Sequence, residues 1–377
     1  MRFLHTADWH LGRIFHGMHL TSDQSYILET IEEIIKDEAI EAYIIAGDIY
    51  DRAVPPPEAV ELLGQHLEIV AGDLKIPVIM IAGNHDSAER LNFCSGIMRN
   101  SNLFIYGNPV AKIQEVILED KHGPVRFFPF PYGDPERFRE LYEVSESITH
   151  ESAYRLMMES LNSLFPKKCR EVAITHAFIS GGQSSDSERP LVIGSAGNVS
   201  ADLFNRFNYT ALGHLHSPQS INSTLRYSGS IMKYSIAEAN HSKSVSVVEI
   251  NDTGDVKITE IPLRPKKDLR IITGSFKEIM ERSDSGSRDD YVVVRLTDVL
   301  GLYEPMNRLR ERYPNIIHLE RVNSSVAQNS VFSAGREKKD DLELFLQFYK
   351  VVTERDVAPA AMDVISDAIK SVVEAEA

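Results

Sequence analysis

Five apolar stretches of strand length, each followed at once by side chains of the kind that hold metal ions, constrain this chain more than any other feature in it. The first three are Arg2-Phe3-Leu4-His5, Ala42-Tyr43-Ile44-Ile45-Ala46 and Pro77-Val78-Ile79-Met80-Ile81-Ala82. Between them run helix-period stripes, Ile27, Leu28, Ile31, Ile34 and Ile35, then Val60, Leu63, Leu67 and Val70. A βαβαβ order with continuously apolar strands predicts a parallel sheet covered on both faces. The residues that follow the strands are Asp8-Trp9-His10, Gly47-Asp48-Ile49-Tyr50-Asp51 and Gly83-Asn84-His85-Asp86. Two later runs behave alike: Val172-Ala173-Ile174-Thr175 delivers His176, and Tyr209-Thr210-Ala211-Leu212 delivers Gly213-His214-Leu215-His216. Open α/β sheets bind ligands beyond the carboxyl ends of their strands, so all these side chains are expected at one rim.

The donor types narrow the chemistry. Asp8, His10, Asp48, Asn84, His176, His214 and His216 offer carboxylate, imidazole and amide groups with no thiolate, a set suited to manganese, iron or zinc. Seven donors exceed the needs of one ion. With a bridging carboxylate they divide into two four-ligand shells, the layout of a two-metal centre that clamps a phosphoryl group and activates a water. A lone histidine such as His5 or His66 reads instead as a hydrogen-bonded structural residue, and Gly-Asp after a strand is by itself a common turn. Five ligand-bearing strand ends in one chain are not accounted for by turns.

In this order, Asp8-x-His10, Gly47-Asp48, Gly83-Asn84-His85-Asp86, His176 and Gly213-His214-x-His216 resemble the calcineurin-like metallophosphoesterases, and the opening His5-Thr6-Ala7-Asp8-Trp9-His10-Leu11-Gly12 is similar to their bacterial DNA-nuclease branch. The resemblance implies an α/β fold, a two-sheet sandwich flanked by helices. It implies one ion on Asp8, His10, Asp48 and His216 and a second on Asp48, Asn84, His176 and His214, both divalent, with Mn2+ expected. It further implies that His85 serves the leaving oxygen or the scissile phosphate and that Asp86 orients His85. Archaeal and eukaryotic members place a histidine where Asp51 stands. The implied activity is 3′→5′ exonuclease action on duplex ends and endonuclease action on single strands or hairpins. The implied partners are DNA and an SMC-like, ABC-type ATPase, in a heterotetramer built on a homodimer of this chain. Arg13, His19, Arg90 and Lys233, just beyond the motifs or in the segment after Tyr227-Ser228-Gly229-Ser230, are expected phosphate contacts; the alternative for each is solvated surface.

Residues 224–262 show short alternating runs, Val245–Ile250 and Val256–Ile261, split by Asn251-Asp252-Thr253-Gly254-Asp255, a hairpin pattern expected to close a second sheet. The phosphoesterase region is expected over 1–262. Residues 266–325 read as a small α+β unit in the place of the family's DNA-capping domain, and 338–377 as a helix pair that binds the ATPase. The pair's stripes are Leu342, Leu344, Phe345, Phe348 and Tyr349, then Ala361, Val364, Ile365, Ala368, Ile369 and Val372. The Gly- and Ser-rich stretch 180–200 reads as an exposed loop rather than a lid.

Net charge is −15 and follows the same division: −13 over 1–262, +2 over 263–334 and −4 over 335–377. This balance argues against broad electrostatic adhesion to a polyanion without forbidding it, and phosphate would have to be neutralised locally, by bound cations or by a partner's charge. Two cysteines without ligand spacing, no stretch of bilayer-spanning length and no apolar leader segment point to the cytoplasm and away from the membrane. Two further readings use the same residues: a phosphodiesterase or phosphatase for small substrates, since one fold hosts many chemistries, and a catalytically silent scaffold, against which the full ligand set argues.

Overall fold

The computed structural model describes residues 1–164, 170–185, 188, 197–283, 286–298, 302–322 and scattered positions between 342 and 369. The chain divides into two compact units, Met1–Val322 and Asn323–Ala377. In the first, β1 (Arg2–Thr6), α1 (Thr21–Asp37), β2 (Ala42–Ala46), α2 (Pro57–Leu67), β3 (Val78–Ile81) and β4 (Leu103–Tyr106) realise the expected alternation. They are followed by β5 (Val116–Asp120), β6 (Gly123–Phe130), α3 (His150–Leu164), β7 (Arg170–His176), β8 (Tyr209–Gly213), β9 (Gln219–Ser220), β10 (Leu225–Tyr227), β11 (Ser244–Ile250) and β12 (Val256–Pro262).

Two six-stranded sheets result, ordered β12-β11-β1-β2-β3-β4 and β9-β10-β8-β7-β6-β5. The hairpin 244–262 does not close the second sheet. It extends the first, with β11 antiparallel to β1 (Phe3 opposite Val248) while β2 lies parallel on the other side (Phe3 opposite Ala42). Alternation along a strand sets which face is buried but not which strand it pairs with.

Between the sheets lies a core in which Phe3 meets Phe127 and Tyr209 edge-on at centroid distances of 5.6 and 5.7 Å, packed with Ile44, Ile79, Val172 and Ile174. The outer face of the first sheet is covered by α1 and α2, that of the second by α3. Burial on both faces explains why β2 and β3 are apolar throughout, and β7 and β8 are buried along their whole length. On α2 the buried side is Ala59, Leu62, Leu63 and His66, whereas Val60 is 48% exposed. The helix is rotated from the expected stripe because His66, hydrogen-bonded to Glu32 at 2.8 Å, takes a core position. His5 is likewise structural, bonded to Tyr209 Oη at 2.9 Å.

Beyond β12, three parallel strands, β13 (Leu269–Gly274), β14 (Tyr291–Leu296) and β15 (Ile316–Arg321), pack against α4 (Phe276–Glu281) and α5 (Pro305–Arg312) around a separate small core. On α5, Arg312 donates to the Met280 and Arg282 carbonyls and Arg308 lies over the Phe276 ring, so both arginines are engaged within this unit.

In the second unit, Leu342, Phe345, Tyr349, Ala361, Val364, Ile365, Ala368 and Ile369 are helical, and the Phe345 and Tyr349 rings lie 6.3 Å apart, one helical turn from each other. Leu344, Phe348 and Val372, the segment 323–341 and most of 186–196 lie outside the described residues. No helix among the described residues is long and apolar enough to cross a membrane.

Candidate metal centre

The donors do not share the rim of one sheet. Asp8, His10, Asp48 and Asn84 leave the first sheet and His176, His214 and His216 leave the second, where the two rims face each other. A Cβ at Gly213 would run into the Ala46 carbonyl oxygen, so only glycine permits this approach of β8 to β2. Gly213→Ala should therefore destabilise the fold by about 3 kcal/mol or more, read as a loss of Tm by calorimetry. An unchanged Tm would show that the rims can separate without cost.

The loops that carry the donors are tightly drawn. Past the strand ends, Asp8 N and His10 N donate to Gly47 O and Asp48 O, both at 3.0 Å, which holds the first two loops side by side. Asp8, His10, Asp48 and His214 all adopt positive φ (55°, 46°, 50° and 109°). Non-glycine residues reach this region only under constraint, and here it aims four donors inward. Gln24 on α1, fully buried, supplies part of that constraint: Oε1 accepts from Gly12 N (3.1 Å) and Nε2 donates to His10 O (2.8 Å) and Trp9 O (3.2 Å).

Asp48 stands at the middle. Its Oδ2 lies 3.5 Å from His176 Nε2, 3.7 Å from His10 Nε2 and 4.0 Å from His85 Nε2, while Oδ1 accepts from His85 N at 2.8 Å. On one side, His10 Nε2 and His216 Nε2 face each other at 3.0 Å. On the other, Asn84 Oδ1 lies 2.9 Å from His176 Nε2 and 3.2 Å from His214 Nδ1. Asp8 accepts from His214 N at 2.9 Å and approaches His176 Nδ1 at 3.9 Å. The ring nitrogens facing away are fixed by acceptors: His176 Nδ1 donates to Ala46 O (2.9 Å) and His216 Nδ1 to Glu238 (3.1 Å), which turns each Nε2 inward.

The electrostatics favour a cation. Burial works against charge on Asp48, but His176, His10 and His85 overcome it and hold the carboxyl well below its ordinary range. Burial pushes His10 well down and His214 down to about 3, so both are neutral donors. At His176 burial is outweighed by Asp48 and Asp8, which draw it up to about 9: the pocket stabilises positive charge. Asp8, Asp48 and His176 bring ligand atoms within 4.8 Å of one another, as do His10, Asp51 and His85. Oxygen and imidazole donors on facing sides of a buried carboxylate fit a divalent metal centre.

The remaining expected residues fall in different places. His85 is buried at the centre, and its Nδ1 donates to the Asp51 carbonyl at 2.9 Å. Asp86, expected to orient His85, accepts from Gly83 N (2.9 Å), Tyr50 N (2.9 Å) and Ile49 N (3.1 Å), tying the second and third loops together. Arg13 is at the rim, 2.6 Å from Asp51, whose carboxylate also approaches His10 Nδ1 at 3.7 Å. His19 and Arg90 are exposed. The Lys233 ammonium is 2.8 Å from Asp268 and donates to Ala239 O.

Glu238 and Lys243 were not expected. Glu238 is fully buried, accepts from His216, and is paired with Lys243 at 2.5 Å; Lys243 also donates to His216 O at 2.7 Å. Charged residues in a polar stretch read as solvated, and only the tertiary contact to His216 reveals them. Glu238→Gln, which keeps a carbonyl acceptor for His216, should cost less than tenfold in metal affinity, and Glu238→Ala roughly 10–100-fold by isothermal titration. Equal affinities in all three would remove Glu238 from any role in holding His216.

Comparison with known proteins adds three findings. The sequence profile of the calcineurin-like phosphoesterases matches residues 1–218, and that of the type 5 capsule protein repressor C-terminal domain matches 265–373. The chain is 35% identical over 379 residues to the D subunit of nuclease SbcCD from Staphylococcus epidermidis (strain ATCC 12228 / FDA PCI 1200), covering all of both chains. Among solved structures, GAP50, the anchor in the inner membrane complex of Plasmodium, overlays with a TM-score of 0.41 at 14% identity, covering 87% of this chain and 99% of its own. TT1561 of Thermus thermophilus overlays at 0.40 and 12%, covering 70% and 99%.

Proposed function

The chain belongs to the calcineurin-like phosphoesterase family, and from that premise we propose that it is the nuclease subunit of an SbcCD-type complex that cleaves DNA phosphodiesters. The observation that carries this reading is Asp48 Oδ2, set between imidazoles of both sheets at 3.5 and 3.7 Å. Asp8, His10, Asp48 and His216 would hold one divalent ion and Asp48, Asn84, His176 and His214 a second, with Mn2+ matching the oxygen and nitrogen donors. When bound, the ions neutralise charge on the phosphate and generate the nucleophile from water at neutral pH. Asn84, being neutral, limits the negative charge around an anionic substrate. His85 presents Nε2 to the centre because Nδ1 is occupied by the Asp51 carbonyl, and from there it donates a proton to the departing sugar oxygen or steadies the phosphate. The caging of both loops by Gln24 and Asp86 keeps these atoms in place between turnovers.

Residues 266–325 would guide DNA toward the centre, and 338–377 would bind an SMC-like, ABC-type ATPase of the SbcC kind, in a cytoplasmic heterotetramer with two copies of each chain. Duplex DNA labelled at one end tests the reading: with Mn2+ the chain should shorten it from the 3′ end, and ATP with the ATPase partner should extend the digestion. Hydrolysis of a small phosphodiester with no cleavage of duplex, single-stranded or hairpin DNA would overturn it.

For the partner, Phe345 and Tyr349 are the aromatic anchors expected in a helix-in-groove contact. Phe345→Ala should weaken ATPase binding by about 2 kcal/mol in titration calorimetry and leave bound metal unchanged. Unaltered affinity would release this helix from the docking role.

A further inference from the structure

A cavity of about 470 Å³ lies where the α+β unit meets the phosphoesterase body, away from the donors described above. Its size is that of a small-molecule site. The lining is of two kinds. Phe15, Leu20, Ile231, Met232 and the Tyr291 ring are apolar or aromatic, while Lys233, His241, Lys243, Arg264 and Lys267 are basic or can become so. Asp268 is the one acidic residue among the described residues that line it. Two of the cations are spoken for, Lys233 by Asp268 and Lys243 by Glu238. Lys267 keeps only a distant partner, Asp23 at 3.9 Å, and sits 5.5 Å from the centroid of the Tyr291 ring. Arg264 has no ion pair among the described residues, and His241 Nδ1 is shielded from solvent with no hydrogen-bond partner.

In a chain of net charge −15, an aromatic and aliphatic surface beside unmatched donors is unusual, and it has a specific complement. We propose that this cavity binds a nucleoside monophosphate, the base against the apolar lining and the phosphate held by Arg264, Lys267 and His241. The choice of a nucleotide rests on the nuclease reading above, since exonuclease action releases that product. The cavity also has a physical route to the metal centre, because Lys243, which lines it, donates to the His216 carbonyl at 2.7 Å.

The test is titration calorimetry of dAMP into the full chain kept in chelator, so that metal-bound phosphate does not contribute. Saturable binding is expected, weakened roughly tenfold or more by Arg264→Glu and by Lys267→Glu, and unchanged by Asp48→Ala. Deoxyadenosine and inorganic phosphate, run alongside, should each bind more weakly than dAMP. The proposal is overturned by absence of saturable dAMP binding, by equal binding of either fragment, by indifference to both charge reversals, or by loss of binding in Asp48→Ala. A wild-type chain that binds dAMP in this way yet cleaves no DNA would defeat the nuclease reading and leave the cavity assignment standing; a nuclease that fails the titration would do the reverse.

Discussion

Asp48→Ala should abolish DNA cleavage, by roughly 10⁴-fold or more, and release bound metal in the same step. The reason is positional. Asp48 Oδ2 lies between the two histidines, 3.7 Å from His10 Nε2 and 3.5 Å from His176 Nε2, so its removal would take a ligand from both halves of the centre at once. The same substitution leaves His85 N without its 2.8 Å acceptor, which loosens the loop that carries Asn84. Asp48→Asn separates these effects: its side-chain oxygen can still accept from His85 N, but the negative charge that both ions share is gone. It should therefore fold with the wild-type Tm, bind metal poorly and cleave poorly. Elemental analysis after dialysis, paired with the end-labelled duplex assay in Mn2+, reads both properties. Full manganese-dependent cleavage by either variant would show that Asp48 does not bridge.

His85→Ala should behave differently, lowering kcat by 10²–10⁴-fold, about 3–5 kcal/mol in the barrier, while metal content stays at the wild-type level. His85 Nε2 lies 4.0 Å from Asp48 Oδ2, farther than the Nε2 atoms of His10 and His176, and its Nδ1 is committed to the Asp51 carbonyl. In the proposed mechanism it would face the reacting phosphate without being needed to close either ligand set. Pre-steady-state cleavage of a short duplex, with metal measured in the same preparation, separates the two contributions. Metal loss in this variant would make His85 a ligand and require the two shells to be redrawn.

Much of the centre was visible beforehand because strand termination is a local property. An apolar run that stops at Gly-Asp or Gly-Asn-His-Asp fixes where a side chain emerges, whatever the strand pairs with. Pairing itself was not visible. The hairpin at 244–262 reads the same whether it joins one sheet or the other, and the ligand-bearing ends divide between two sheets because the chain after β4 starts a second one. On α2 and just after it the expected stripe holds at Leu63 and Val70 but not at Val60, which faces solvent, while His66 is the hydrogen-bonded structural residue expected, satisfied by Glu32 in the core. Gln24, Glu238 and Lys243 act across separations in sequence that no spacing rule covers.

The place of β1 has a consequence for how the protein comes into being. That strand lies between β2, about 40 residues away, and β11, about 245 residues away, with Phe3 hydrogen-bonded into a ladder opposite both Ala42 and Val248. Contacts this distant along the chain are slow to form. During synthesis the ribosome must therefore deliver some two-thirds of the polypeptide before the first strand gains its second neighbour, and His214 and His216 emerge only shortly before it. Until then the early donors Asp8, His10 and Asp48 belong to an open half-sheet. A nascent chain thus has no complete donor set until the strand that delivers His214 and His216 has been made.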